Sequence, residues 1–255
     1  MHNQVLLVIP CYNERFRFPV EYWRELITEN PKIDWLFVDD GSTDDTLNLL
    51  NQLSNAENVS VARSNFNLGK GNAVRFGFYL ALEKTLNLEF LGFLDADGAF
   101  SKEDVFAVTS SLLVKMNGVT GRSFDVLISS RVALAGRSIY RKSTRHFIGR
   151  IIATLLTSHW KSSPYDTQSG FKIFRNTSAF REAINPEFET KWFFDIEILT
   201  RIGTQRNGEL LVWEEPVNYW RDVEGSKLRF RSFPQIAQEL FLARRVISRY
   251  VRTLE

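Results

Sequence analysis

Cysteine is nearly absent: Cys11 is the one thiol in 255 residues. That excludes an internal disulfide and a Cys-x-x-Cys metal site, and it fits a reducing compartment. Histidine is scarce too, and His2, His146 and His159 are not spaced as a metal-binding set. No apolar run approaches the roughly 20 residues that cross a bilayer. The longest candidates, residues 5–10 and 151–156, suit a strand and a helix face. No secretory pattern opens the sequence, so the expected location is cytoplasmic. Residues 69–72 (GKGN) fall short of a phosphate loop, because Gly71 stands where a Walker A loop needs Ser or Thr. A Rossmann fingerprint fails at Val74. What remains is Lys70 between two glycines at a helix start, where backbone N–H groups and charge can hold phosphate.

Acids are missing from one stretch. Residues 131–161 hold Arg131, Arg137, Arg141, Lys142, Arg145, Arg150 and Lys161 with no Asp or Glu. Residues 227–255 add Lys227 and six arginines against Glu239 and Glu255. The net charge is only +2, so the rest of the chain is acidic, and such segregation points to an anionic partner on one surface. Phosphate or lipid headgroups suit it. Nucleic acid does not, since no nucleic-acid-binding motif accompanies the charge. The sequence is silent on oligomeric state.

Strand and helix signals alternate through the first half. Strands are predicted over residues 4–10, 33–38, 59–63, 90–94 and 125–130. Helices are predicted from Pro19, from a cap at Ser42 or Thr43, over 72–86, and from Ser101, whose spacing to Asp104 is that of a capping box. Single helices between strands imply right-handed βαβ units, hence an α/β fold with a mostly parallel sheet. Residues 131–255 change texture, and a variable extension built onto the same core is expected, ending in a basic amphipathic helix over 229–255. The two apolar stripes, at 147–156 and 233–250, fit either a helix packed on the core or one lying in a membrane interface.

Ligands of such sheets bind beyond the carboxyl ends of the strands. Three acidic or polar clusters follow predicted strands directly: residues 11–14 (CYNE), Asp39-Asp40 and Asp95-Ala96-Asp97. Two carboxylates one residue apart suit a Mg²⁺ or Mn²⁺ ion that keeps waters and binds a diphosphate. Asp195 and Glu197 lie in an apolar setting, residues 192–197 (WFFDIE), where carboxylates are either ion-paired or raised in pKa. An exposed helix N-terminus is the alternative for that pair.

In fixed order, these segments resemble the family 2 glycosyltransferases of GT-A fold. Residues 9–14 (IPCYNE) look like their opening strand and loop, 38–44 (VDDGSTD) like their nucleotide-binding turn, and Asp95-Ala96-Asp97 like their metal motif. Residues 67–75 (NLGKGNAVR), 166–172 (DTQSGFK), 192–197 and 217–227 are similar to the polyprenyl-phosphate branch, and within it to dolichyl-phosphate β-glucosyltransferases.

The resemblance covers residues 4–228 and makes 1–228 the expected catalytic domain. It implies that Pro10, Tyr12, Glu14, Asp39 and Asp40 hold the nucleoside, with Asp40 on base or ribose. Lys70 would stand by the diphosphate, with Asp195 and Glu197 also at the donor site, and Asp95 and Asp97 would hold the metal. Arg131 and Arg145 would grip a lipid phosphate, with Lys227 closing over it. Relatives of the mannosyl branch carry glutamine two positions after the second metal aspartate, where this chain has Ala99. UDP-glucose is thereby favoured over GDP-mannose as donor. The implied reaction moves a sugar with inversion to a polyprenyl phosphate, at the cytoplasmic face of a membrane. A saccharide hydroxyl acceptor, with Asp195 or Asp166 as base, and a non-catalytic nucleotide-sugar-binding protein are the alternatives.

Overall fold

A computed structural model describes residues 4–85, 87–117, 123–140, 154, 156, 160, 164–223 and 233–254, the side chains of 233–236 and 254 excepted. Arg145 and Lys227 lie outside the described residues, as do most of the 147–156 stripe, Arg141, Lys142, Arg150 and Lys161 of the first basic stretch, and residues 227–232 of the second.

In chain order the elements are β1 (Val5–Cys11), α1 (Val20–Glu29), β2 (Ile33–Asp39), α2 (Thr46–Asn51), β3 (Val59–Arg63), α3 (Lys70–Lys84) and β4 (Phe90–Leu94). Then come α4 (Lys102–Ser110), α5 (Leu112–Asn117), β5 (Val126–Ser130), β6 (Ser138–Tyr140), β7 (Phe171–Arg175), α6 (Ser178–Ile184), α7 (Phe194–Gln205), β8 (Val212–Pro216), β9 (Tyr219–Arg221) and α8 (Phe233–Val251). Seven strands form one sheet in the order β3-β2-β1-β4-β7-β5-β8, and β6 pairs with β9 in a small ribbon.

The apolar runs of β1, β2 and β4 read as continuous because helices cover both faces. Their residues nevertheless divide with a period of two. Leu7, Ile9 and Cys11 enter the core that Trp23, Leu26 and Ile27 of α1 and Val105 and Val108 of α4 complete. Leu6 and Val8 face the other side, against Ala73, Val74 and Phe78 of α3, Phe180 of α6 and Ile198 of α7.

Strand β7 departs from the expected layout. It runs antiparallel to both β4 and β5 in the middle of the sheet. From the second half of the chain, β7 and β8 complete the main sheet. Because β7 is reversed, its first residues arrive at the same edge as the carboxyl ends of β1, β2, β4 and β5.

Local caps also differ in part. Ser101 caps α4 as expected, accepting the Asp104 N–H at 3.1 Å and donating to its carboxylate at 2.9 Å. Helix α2 instead starts after Asp45, because Ser42 and Thr43 are used elsewhere. Ser42 Oγ accepts from Asn13 N–H at 2.9 Å, and Thr43 N–H donates to Asn13 Oδ1 at 2.9 Å. Helix α8 lays Ala243 and Ile247, with Leu240 beside them, on Phe193 and on Ile196 of α7, so the described part of the apolar stripe, from Leu240 on, is core packing rather than a membrane face.

Candidate active site

Three loops meet at the carboxyl edge of β1, β2 and β4. The loop after β1 is bound to the turn after β2 by the Asn13 contacts and by Glu14 N–H donating to Thr46 Oγ1 at 2.8 Å. Asn13 takes φ +50°, and Gly41 takes φ +69° with Phe66 backbone where a Cβ would sit. Asp39 is fully buried, accepts Ser42 N–H at 3.0 Å and faces Arg63 Nε at 3.3 Å. Asp40, expected at base or ribose, accepts the N–H groups of Leu68 at 2.7 Å and Gly69 at 3.0 Å. Burial raises its pKa and those hydrogen bonds partly offset the rise. Asp40 thus fixes the loop that delivers Lys70 to the first turn of α3. Pro10 and Tyr12 are half-buried at this end, and Glu14 is buried.

Lys70 Nζ lies 2.6 Å from Asp95 Oδ1. Burial pulls the ammonium's pKa down, and the charges of Asp95 and Asp195 more than offset it, so the pKa is raised. Gly170 leaves room for this contact, since a Cβ there would stand 2.3 Å from Asp95 Oδ2. Asp95 N–H donates to Gly170 O at 2.9 Å, which ties the β4 end to the start of β7. Asp97 is pushed up to about 6 by burial first and by the charge of Asp95 second. Arg17 bridges two of the loops, 3.8 Å from Glu14 and 3.9 Å from Asp97.

A carboxylate pushed up in this way by a neighbouring carboxylate calls for a cation. Among the described residues no group of three or more His, Cys, Asp or Glu could form a closed cage. The pair fits a Mg²⁺ or Mn²⁺ ion that completes its shell with waters and diphosphate oxygens. Ala99 supplies no side-chain ligand; its N–H donates to Asp97 Oδ1 at 3.2 Å.

Beyond β5, Arg131 makes a bidentate pair with Asp166, at 2.6 and 2.7 Å, and donates to Gln168 O at 3.0 Å. Its guanidinium lies 5.1 Å from the centre of the Trp220 ring. Asp166 is held in turn, its own N–H and that of Tyr165 donating to Glu214 at 2.9 and 2.7 Å. Burial lowers the guanidinium's pKa, and Asp166 leads the carboxylates that reverse this.

A third pair sits beneath these two. Lys172 Nζ is 2.8 Å from Asp195 Oδ1, and Lys172 is wholly buried. Burial raises the pKa of Asp195 and lowers that of Lys172, each against the pull of its partner. Lys172 and Lys70 both lie over the Phe93 ring, at 5.2 and 5.6 Å. Asp195 does stand in the first turn of a helix, α7, but a buried one. Glu197 is consumed by the fold: it accepts from the N–H groups of Glu189 and Thr190, the Thr190 hydroxyl and Arg201. It therefore staples the loop before α7.

The model of glycosyl transferase family 2 matches residues 6–175, two thirds of the chain. The chain belongs to that family. It is 30% identical over 256 residues to a dolichyl-phosphate beta-glucosyltransferase of Drosophila melanogaster, a match covering 94% of this chain and 74% of the relative. Glucosyl-3-phosphoglycerate synthase of Mycobacterium tuberculosis, solved with Mn²⁺, UDP-glucose and phosphoglyceric acid, superposes with a TM-score of 0.64 at 16% identity, covering 96% of this chain and 80% of that one. TarS of S. aureus gives 0.59 at 18%, and there the match covers 97% of this chain and 65% of that chain. At those identities the structures establish the fold, the GT-A arrangement expected from the motifs.

This family 2 glycosyltransferase also uses residues that motif reading passed over. Arg17, Lys172, Glu214 and Trp220 all touch the groups named above. Lys172 sat in a quoted motif without a role. Arg17 carried a signal in its spacing, three residues after Glu14 and so within reach across one turn.

Proposed function

We propose that the chain transfers glucose from UDP-glucose to a polyprenyl phosphate, with inversion, working peripherally on the cytoplasmic side of a membrane. One observation carries the choice of acceptor. Asp166 and Asp195, the bases that a hydroxyl acceptor would need, are locked in short ion pairs with Arg131 and Lys172. An acceptor that brings its own negative charge needs no base. The similarity to a dolichyl-phosphate beta-glucosyltransferase supports the same reading.

A phosphate monoester has a second pKa of about 6 and is largely a dianion at neutral pH. Its oxygen attacks the anomeric carbon, the new C–O bond forms as the C–O bond to the diphosphate breaks, and the electron pair leaves with UDP. Attack from the opposite face turns an α-linked donor into a β-linked product. Lys70 stands where it can stabilise charge on the departing diphosphate, and Arg131 orients the incoming phosphate. A divalent ion on Asp95 and Asp97 would neutralise leaving-group charge when bound. Asp40 and Arg17 hold the loops so that these groups keep their positions.

The test is a donor and acceptor screen with purified protein. Glucose transfer from UDP-glucose to a short polyprenyl phosphate, giving a β-linked product by NMR, is expected. Transfer to oligosaccharides with none to the lipid phosphate would overturn the reading.

A further inference from the structure

Folding sorts the charges of α8. Its one acid in residues 237–252, Glu239, is drawn inward, where it accepts the N–H groups of Lys191 at 2.9 Å and Trp192 at 3.1 Å. Ala243 and Ile247 are buried against α7, and Val246 is buried as well. What remains outside is Phe241, Arg244, Arg245, Ser248, Arg249 and Arg252, which line one open groove at helical spacing. Arg249 pairs with Glu189, while Arg244, Arg245 and Arg252 make no ion pair among the described residues. Phe241, 71% exposed, stands amid these cations.

We infer that this outer face of α8 docks the protein on an anionic phospholipid bilayer, with arginines on lipid phosphates and Phe241 inserted among the acyl chain ends. Three guanidinium groups with no ion pair among the described residues supply charge complementarity, and an exposed aromatic ring among them suits a headgroup boundary better than a nucleic-acid backbone. The face is also well placed. Through Glu239, α8 holds the loop 191–192, whose Lys191 lies beside Gly69, and Phe194 packs on Gly71. That loop and the first turn of α3 thus link α8 to Lys70. A bilayer at this face would therefore meet the mouth into which a lipid-borne phosphate must enter. The inference deepens the lipid-phosphate reading and rests on it for the choice of partner. It differs from the interfacial helix considered for the sequence, because the apolar stripe packs inward and the arginine face does the docking.

Full-chain protein is sedimented at low salt with phosphatidylcholine vesicles and with vesicles carrying phosphatidylglycerol. Binding only to the anionic vesicles, weakening with salt, is expected. R244A/R245A should lose about thirtyfold in partitioning, at roughly fivefold per arginine near the surface, and F241A should lose binding that salt does not recover. Both variants should keep wild-type transfer to a short, water-soluble polyprenyl phosphate in the absence of vesicles, which also reports that they are folded. Equal binding to neutral vesicles, unchanged binding by R244A/R245A, or a preference for duplex DNA over the anionic vesicles would overturn the docking face. Failure of transfer to the lipid phosphate with vesicle binding intact would overturn the acceptor reading alone.

Discussion

Lys172 and Asp195 meet at 2.8 Å under the site, the lysine from the reversed strand β7 and the aspartate from the first turn of α7. Neither charge reaches water to any extent. Removing one partner of such a pair typically costs about 3–5 kcal/mol, since the other is left buried and uncompensated. K172M should therefore lower the denaturation midpoint sharply, and K172M/D195L should recover most of the loss. A double-mutant cycle by urea unfolding measures this. Additive effects of the two single changes would mean that the pair is not coupled.

Lys70 occupies the Asp95 oxygen that a divalent ion would also seek. K70A removes that competitor and one positive charge. Mn²⁺ binding to donor-free protein at pH 8 should tighten on the order of tenfold, given about 1 kcal/mol per charge pair at 4 Å even in water. Turnover should fall by about 10²–10³ for loss of one leaving-group stabiliser. Mn²⁺ titration followed by electron paramagnetic resonance separates the two effects. Weaker Mn²⁺ binding in K70A would show that the lysine supports the ion instead of competing with it.

These two pairs also mark the boundary of what the sequence discloses. β1, β2 and β4 are legible because doubly covered parallel strands are continuous apolar runs, and the acids at their ends stand out against them. β7 is not, because Lys172 interrupts its run and the carboxylate that makes its burial tolerable lies 23 residues away. Asp195 and Glu197 look alike in sequence, two acids in an apolar helix start. Only three-dimensional neighbours show one beside Lys172 and the other spent on the loop at 189–190. The arginine-rich terminal helix is ambiguous for the same reason: an amphipathic period does not say whether the apolar side meets a core or a bilayer.

Asp97 links pH to both stability and metal binding. Its folded pKa of about 6 exceeds the 3.8 of an ordinary aspartate, so the folded state holds the proton more tightly. The carboxylate is therefore destabilising above pH 6, and the penalty fades as pH falls toward 4. D97N should stabilise metal-free protein by about 1–2 kcal/mol at pH 8, after allowing for its partial exposure, and by almost nothing at pH 4. Thermal melts at the two pH values check the sign. Because an ion binds the ionised form, Mn²⁺ affinity of the wild type should also fall by up to tenfold per unit below pH 6.

Arg131 carries the acceptor assignment, and its geometry predicts that lysine cannot replace it. The guanidinium makes two parallel bonds to Asp166, a third to the Gln168 carbonyl and a stack on Trp220. An ammonium keeps the charge and loses the fork and the stack. R131K should raise KM for the polyprenyl phosphate by about 10–100-fold, the range expected for a charge-assisted hydrogen bond worth about 1.5–3 kcal/mol. D166N should act in the same direction, since it leaves the cation in place but unoriented. UDP binding, followed by calorimetry, should be unchanged in both variants because Arg131 lies across the sheet edge from Asp39 and Asp40. Equal losses in donor and acceptor binding would place Arg131 at the diphosphate instead.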